Sequence, residues 1–349
     1  MTDKVSVAII GYGLAGASFH APLIKLVDGF AVTRIVTSAS ERQTQARQDF
    51  PEAEVLADVE MLFKRAGEID LVVIACPNKY HAPYAKRALE ANVAVVIDKP
   101  FAISSEQGKD LIETAYKNKA LLTVFQNRRW DNDFLTIQKI IREKTIGSIY
   151  RLESRFEKWR PTPQLNKWKQ KPGKEDGGGI LFDLGSHLID QARVLFGEPK
   201  SVYSEMHRRR PGVLVDDDSF VALDFENDVR VHLWMSEVVK EPAPRFRLVG
   251  SLGTYVKWGL DPQEAALRSG NYTKDLEWRK GPSDSYGTVY TADDHVAGRK
   301  YETVPGRYDY FYEQVFNAIS KGVALPVDAT DVLKGLEVIE RARAATLVG

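Results

Sequence analysis

The chain has 349 residues, with 48 Lys plus Arg against 48 Asp plus Glu and no net formal charge. Neutrality excludes the basic excess that marks a dedicated nucleic-acid or anionic-membrane binder, and the length suits two domains at roughly 100–200 residues each. A single cysteine, Cys76, excludes an internal disulfide and points to a reducing compartment. No apolar run approaches the ~20 residues needed to span a bilayer and the N-terminus shows no signal-type pattern, so the expected location is cytoplasmic.

In chain order, "VSVAIIGYG" is an apolar strand run ending in glycine, "AGASFHAPLIKLVDG" a helix closed by Gly29, "FAVTRIVTS" a strand and "SERQTQARQDF" a polar helix ended by Pro51. "IDLVVIACP", "AVVIDKP" and "ALLTVFQN" continue as strands, with "PYAKRALEANV" and "SEQGKDLIETAYKNK" as helices between them. This alternation predicts an α/β fold whose first domain, residues 1–122, is a doubly wound parallel sheet. The pattern changes near residue 123. A helix, "DNDFLTIQKIIREKTIG", precedes alternating stretches such as "SIYRLESRFEKW", "SVYSEMHR", "DSFVALDFEN", "VRVHLWMSEVV" and "FRLVGSLGTYVKW". Period-two alternation predicts a large, open, mostly antiparallel sheet in a second α/β domain, residues 123–349. The last helix, "ATDVLKGLEVIERARAATL", is expected to be able to pack back on the first domain.

"IIGYGLAG" sets Gly11, Gly13 and Gly16 in the order G-x-G-x-x-G, with Leu14 and Ala15 between the last two. The motif is weak alone, but here it follows a strand and opens a helix, as a dinucleotide site requires. Gly11 permits the tight turn, Gly13 lets backbone approach a pyrophosphate, and Gly16 allows close helix–strand packing. The helix N-terminus offers free N–H groups and a positive dipole end. At the end of the second strand an NAD site usually carries an acid. Here Thr37 and Ser38 stand there, and Arg42 follows within reach of a 2′-phosphate, which favours NADP. Glu41, if turned inward, would admit NAD.

Lys99 ends the fourth strand in "IDKPF", next to Asp98, where ligands of open parallel sheets bind. Burial or cationic neighbours can bring a lysine, normally near ~10.4, into the range of proton transfer. Pro77, Asn78 and His81 end the third of these strands. Asn78 suits ribose or the nicotinamide amide, and His81 either contacts substrate or caps the following helix. "DGGGILFDLGSHLID" places Asp183, His187, Asp190 and Val194 on one helical stripe at about 100° per residue, beside an apolar stripe of Leu184, Leu188, Ala192 and Leu195. The run Gly177–Gly179 lets a ligand or another segment of chain come close. Two charge runs, Arg208–Arg210 and Asp216–Asp218, read as solvated loops. The six histidines form no H-E-x-x-H, so no metal site is expected.

Taken together, the glycine loop at 11–16, "DKP" at 98–100 (most members of the family have Glu-Lys-Pro) and "GGGILFDLGSH" at 177–187 resemble the glucose–fructose oxidoreductase, inositol dehydrogenase and rhizopine-catabolism family, Gfo/Idh/MocA. The C-terminal "PVDATDVLKGLEVIERARAA" is similar too, so the resemblance covers essentially the whole chain. It implies a Rossmann domain followed by an α/β domain whose sheet forms a homodimer or homotetramer interface, and a catalytic set carried onto Lys99, Asp183 and His187. "FHAPLI", "VFQNRRWD" and "KWRP" resemble the branch of NADP-dependent scyllo-inositol dehydrogenases. Many members have a Trp-Arg pair lining the cofactor site; here the pair is Trp168-Lys169. Asn127, Arg129 and Trp130 are expected to hold cofactor or sugar. The implied activity is hydride transfer between a cyclic polyol or sugar and a nicotinamide cofactor, with scyllo-inositol and NADP(H) foremost and NAD as the other cofactor. An aldose 1-dehydrogenase and a non-catalytic dinucleotide-binding regulator are the alternatives.

Overall fold

The computed structural model describes residues 4–164, 177–275, 277–292 and 298–345. The chain forms two compact units that interleave along the sequence. The first comprises Met1–Asn127, Gln263–Lys274 and Tyr308–Lys334, and the second the remainder.

The first unit is built on six parallel strands: β1 Val5–Ile10, β2 Phe30–Val36, β3 Glu54–Leu56, β4 Leu71–Ile74, β5 Ala94–Asp98 and β6 Leu122–Phe125. Their order is β3-β2-β1-β4-β5-β6, the order of a dinucleotide-binding sheet. Every residue of β4 is buried, as are Val7–Ile10 and Val95–Ile97. Such unbroken apolar runs are what a sheet covered on both faces needs. The connecting helices are α1 Ala21–Lys25, α2 Ser40–Asp49, α3 Val59–Phe63, α4 His81–Glu90 and α5 Ser105–Asn118. Ser104 caps α5 by accepting the Gln107 N–H. The strand order reverses between β1 and β4, so their carboxyl ends flank the crevice where ligands of such sheets bind. The helix Tyr308–Lys321 joins this unit through Tyr312 and Phe316, which stack edge-on against Phe30 at 6.2 and 5.4 Å. Gly29 does more than close a helix: a Cβ there would lie 2.1 Å from the Phe316 ring.

In the second unit, helix α6 (Asn132–Arg142) precedes eight strands, with α7 (Ser186–Phe196) between the first two. The strands are β7 Ile149–Glu157, β8 Ser201–His207, β9 Asp218–Asp224, β10 Arg230–Ser236, β11 Phe246–Gly250, β12 Gly253–Lys257, β13 Gly287–Thr291 and β14 Arg299–Tyr301. Their order is β14-β13-β12-β11-β7-β10-β9-β8. All neighbours are antiparallel except β7 and β10. Burial alternates: Val221 and Leu223 on β9 and Val231, Leu233 and Met235 on β10 point into the core, so one face is covered. A Cβ on Gly185 would lie 2.8 Å from the Met235 sulfur, which shows how closely helix and sheet approach. "FRLVGSLGTYVKW" is a hairpin, β11–β12, rather than one strand. Among the described residues no helix is long and apolar enough to cross a membrane.

Candidate active site

In the first unit the sequence-predicted residues gather at strand ends. Gly11 follows β1 with φ of +98°, a conformation that L side chains rarely adopt. A Cβ on Gly11 would lie 2.5 Å from the Ala75 carbonyl oxygen, and one on Gly16 would lie 2.0 Å from that of Gly11. Backbone meeting backbone therefore demands both glycines. Gly13 differs, since a Cβ there would meet only the Arg42 guanidinium, at 3.5 Å. The following helix starts at Leu14, and the Ala17 N–H reaches back to the Gly13 carbonyl at 2.8 Å. The amides of Leu14, Ala15 and Gly16 precede that bond, and Ala15 offers no side-chain cap. The result is an N–H-lined, positive helix end. A π-type turn, Gly16–His20, then leads into α1. Such turns are rare and concentrate at functional sites, and apolar periodicity does not reveal them.

No acid stands at the end of β2. Thr37 is buried and its carbonyl accepts Gln43 Nε2 at 2.9 Å, whereas Ser38, Glu41 and Arg42 are exposed. Pro77 and Asn78 lie half-buried after β4, where Asn78–Tyr80 forms a single 3₁₀ turn. The His81 ring makes no helix cap. Its Nδ1 lies 2.9 Å from the Pro100 carbonyl and its Nε2 2.9 Å from that of Cys76, so it ties the end of β4 to the turn after β5. Burial pushes this imidazole below its usual range. Burial also pushes the Cys76 thiol up to about 12, which removes it as a nucleophile. Asp98 accepts the backbone N–H of Lys99 at 2.9 Å. Burial works to raise the Asp98 carboxyl, yet His20, Lys99 and His81 together outweigh it and hold the group below the usual carboxylate range. Lys99 is half-buried, and the Lys99–Pro100 peptide is cis. Asn127, buried, is the last residue of this unit's main segment.

In the second unit the glycine run has a protein partner. Gly179 has φ of +102°, and a Cβ on it would lie 2.0 Å from Asp216 Oδ1. The Asp216 carbonyl accepts the Ile180 N–H at 2.9 Å, and its Oδ2 accepts the Leu181 N–H and the Ser219 hydroxyl, each at 2.8 Å. Asp216 thus caps the helix that carries Asp183 and His187. Arg343 donates to the Gly178 carbonyl at 2.8 Å and lies 4.4 Å over the Phe182 ring. Burial nonetheless dominates and raises the Asp216 carboxyl above its usual range. The helix passes through a second π-type turn, Leu181–Gly185, into α7. Asp183 is half-buried within that turn, and His187 is 4% exposed one turn on. The ring of His187 meets Phe156 edge-on with centroids 6.4 Å apart. Phe156 in turn lies 4.0 Å from the Arg245 guanidinium and 4.7 Å from that of Arg128. Sequence reasoning took Asp216 as part of a solvated charge run and missed Phe156 and Arg245, which sit in an alternating strand and a loop where nothing marks them out.

Arg129, expected to hold cofactor or sugar, grips Asp190 with two bonds, Nε to Oδ2 at 2.9 Å and Nη2 to Oδ1 at 2.6 Å. With Gln191 Nε2 donating to the Arg128 carbonyl at 2.8 Å, this docks the segment on α7. Trp130 is half-buried, and its carbonyl accepts the Arg307 N–H at 3.0 Å. Trp168 lies outside the described residues. The two charge runs are solvated only in part: Arg208 and Arg209 are exposed, whereas Arg210 and Asp217 are buried. Arg210, 6% exposed, lies 2.8 Å from Asp217 and 2.7 Å from Glu237, and Arg209 lies 3.0 Å from Asp218. The cause is register: His207 pairs with Asp218 across β8 and β9, so opposite charges continue the ladder beyond the strands.

The comparison with known proteins agrees with this architecture. The profile "Oxidoreductase family, NAD-binding Rossmann fold" matches residues 5–126, and "GFO/IDH/MocA C-terminal domain" matches residues 134–256. The chain is 34% identical over 343 residues to scyllo-inositol 2-dehydrogenase (NADP(+)) IolW of Bacillus subtilis, spanning 97% of this chain and 93% of that one. This chain belongs to the Gfo/Idh/MocA family. The uncharacterised oxidoreductase YdgJ of Escherichia coli is 36% identical over 340 residues, covering 97% and 96%. The solved structure of YvaA from Bacillus subtilis superposes with a TM-score of 0.92 at 33% identity, covering 99% and 97%. The family assignment makes the protein an NAD(P)-dependent oxidoreductase with a nicotinamide-dinucleotide-binding Rossmann domain.

Proposed function

We propose that the protein is an NADP-dependent dehydrogenase of a cyclic polyol, with scyllo-inositol and its ketone as the reacting pair. One observation carries the reading: Arg42 stands against Gly13, beside a helix start that no side chain of the described residues caps, after a β2 that ends without an acid. A guanidinium and open amides in that arrangement suit a pyrophosphate and a 2′-phosphate. The similarity to IolW supports the same cofactor and points to the same substrate.

On this reading Gly11, Gly13, Leu14, Ala15 and Gly16 receive the pyrophosphate. Thr37, Ser38 and Arg42 receive the phosphorylated ribose. Pro77, Asn78, Asp98, Lys99 and Asn127 serve the nicotinamide side, and His81 acts there through the two carbonyls it bridges. Bound NADP supplies a hydride acceptor at C4 of its nicotinamide. A ring nitrogen of His187 takes the proton of the reacting hydroxyl during oxidation and returns it during ketone reduction. Lys99 polarises the same oxygen, and Asp183 holds a neighbouring hydroxyl. Asn127 and Trp130 contribute to holding the sugar, whereas Arg129, bound to Asp190, fixes the position of its segment.

The test is formation of reduced nicotinamide by purified protein with scyllo-inositol, myo-inositol, glucose and xylose, each with NADP and with NAD. Turnover of scyllo-inositol with NADP is expected. Preference for glucose or xylose would replace the substrate with an aldose, and cofactor binding without turnover on any of the four would favour a regulator.

A further inference from the structure

Behind Lys99 lies a row of polar groups whose two buried members, His20 and Tyr312, no step above uses. The Tyr312 hydroxyl is 2.6 Å from His20 Nδ1. His20 closes the π-type turn after the glycine loop, and its Nε2 is 3.7 Å from Asp98 Oδ1. That same oxygen accepts the Lys99 amide at 2.9 Å. His20 and Tyr312 are both 0% exposed. They sit among phenylalanines, with His20 4.5 Å from Phe125 and Phe125 5.0 Å from Phe311 between ring centroids. An imidazole and a phenol in an aromatic cluster are costly unless they are bonded, so their placement calls for a physical reason.

The directions of the bonds follow from chemistry. Burial pushes the Tyr312 phenol far above its usual range, so the hydroxyl keeps its proton and can donate it to Nδ1, the direction the proposal below adopts. A neutral imidazole that accepts at Nδ1 carries its proton on Nε2, the nitrogen that faces Asp98. The carboxylate therefore faces an N–H at 3.7 Å, wider than a hydrogen bond, and accepts the Lys99 amide at 2.9 Å.

We propose that Tyr312, His20 and Asp98 form a positioning chain behind Lys99, in which the phenol sets the imidazole tautomer, the imidazole N–H steadies the carboxylate, and the carboxylate holds the backbone and the charge of Lys99. It rests on the reading of Lys99 as the group that polarises the substrate oxygen. The groups that face Asp98 are His20, His81 on α4, and Lys99, with the Cys76 thiol and the Tyr312 phenol also feeling its charge. None of the three chain members is asked to touch substrate. Their work is to keep Lys99 cationic and fixed in direction.

The experiment uses the full chain without substrate. Lys99 is followed by NMR after reductive ¹³C-methylation, and Asp98 through its carboxyl carbon. Asp98→Asn is expected to lower the pH at which Lys99 titrates by about one unit, the size of effect of an adjacent opposite charge, and Asp98→Glu to restore it. Tyr312→Phe removes a single hydroxyl and is expected to raise the pH at which Asp98 titrates. With whichever polyol the wild type oxidises, Asp98→Asn should lower kcat about tenfold and leave KM within about twofold, because the ground-state contacts are untouched. An unchanged Lys99 titration in Asp98→Asn, or an unchanged Asp98 titration in Tyr312→Phe, overturns the proposal. If Asp98→Asn does not fold, Tyr312→Phe decides. A wild type that oxidises no polyol or sugar defeats the functional reading, while the two titrations still decide this one.

Discussion

Two helices in this chain start from glycines, pass through a π-type turn and reach a histidine: "GYGLAGASFH" in the first unit and "GGGILFDLGSH" in the second. They complete their first turns in opposite ways. In the first, Gly11 and Gly16 are pressed against backbone, and the amides of Leu14 to Gly16 have no side-chain partner among the described residues. In the second, Asp216 enters the space left by Gly179 and takes the Leu181 amide itself. A helix end filled by the chain's own carboxylate cannot also receive a phosphate. An open one can. Glycines thus leave one helix end open and let the chain cap the other itself, and what separates them is a residue 37 positions beyond Gly179.

The histidines differ in the same sense, and this yields the largest expected effect. His187, at the edge of Phe156, is assigned to move a proton, and His20 is locked between Tyr312 and Asp98. His187→Ala should lower kcat roughly 100- to 10,000-fold, with a thermal midpoint close to wild type. His20→Gln, which keeps an N–H donor, should lower it far less. Steady-state kinetics of the two variants side by side would reverse the comparison if His20→Gln proved the more damaging.

Next in size is the cap. Asp216→Ala strips the Leu181 amide of its acceptor and leaves Arg343 beside an apolar gap. A loss of about 1–2 kcal/mol is expected, the usual worth of a helix cap, read from urea denaturation. Gly179→Ala should be at least as harmful, because its Cβ would collide with Asp216 and its φ is unsuited to alanine. If Gly179→Ala matched wild type in stability, the close approach of Asp216 would be wrong.

Asp98 and Asp216, both half-buried, should respond oppositely to pH. Asp98 is held below the usual range, so its stabilisation is present above the unfolded carboxyl value near ~3.9 and is lost as pH falls through the lowered value. Asp216 is raised. The folded state then holds its proton more tightly than the unfolded one, and stability is lost as pH rises from ~3.9 through the raised value. Thermal midpoints across pH should show Asp98→Asn growing worse relative to wild type as pH rises from the lowered value to ~4 and level above it, and Asp216→Asn growing better as pH rises above ~4. Parallel trends for the pair would mean that facing cations at Asp98 and burial at Asp216 do not set the two protonation states.

Much of this was legible in the sequence. The parallel sheet follows from apolar runs that alternate with helices, and the open sheet from period-two alternation. Short or interrupted elements were not legible: β3 has three residues, and β13 and β14 lie among turns without strong alternation. The π-type turns leave no mark because they change the helix by one residue without changing which residues are apolar. The charge runs were misread for a general reason. Local composition says that a residue is charged, but only the register of β8 with β9 says that its partner lies across the ladder. His81 and Arg129 were recognised as notable residues, but their partners, the Pro100 and Cys76 carbonyls and Asp190, are set by tertiary structure.

The smallest effect tests the open helix end itself. Arg42 is exposed and lies against Gly13, so its removal leaves no cavity and no buried partner, and the fold should not register it. On the proposed reading it supplies one charged contact to a 2′-phosphate. Charge-assisted bonds of this kind contribute about 1.5–3 kcal/mol, so Arg42→Ala should raise the Kd for NADP roughly tenfold or more and leave NAD binding unchanged. Binding of each dinucleotide by calorimetry separates the two contributions. Weakening of both would assign Arg42 to the shared pyrophosphate rather than to the extra phosphate. Weakening of neither would mean that the residue beside Gly13 takes no part in reading the cofactor, and Glu41, its neighbour in the first turn of α2, would become the residue to examine for binding of NAD.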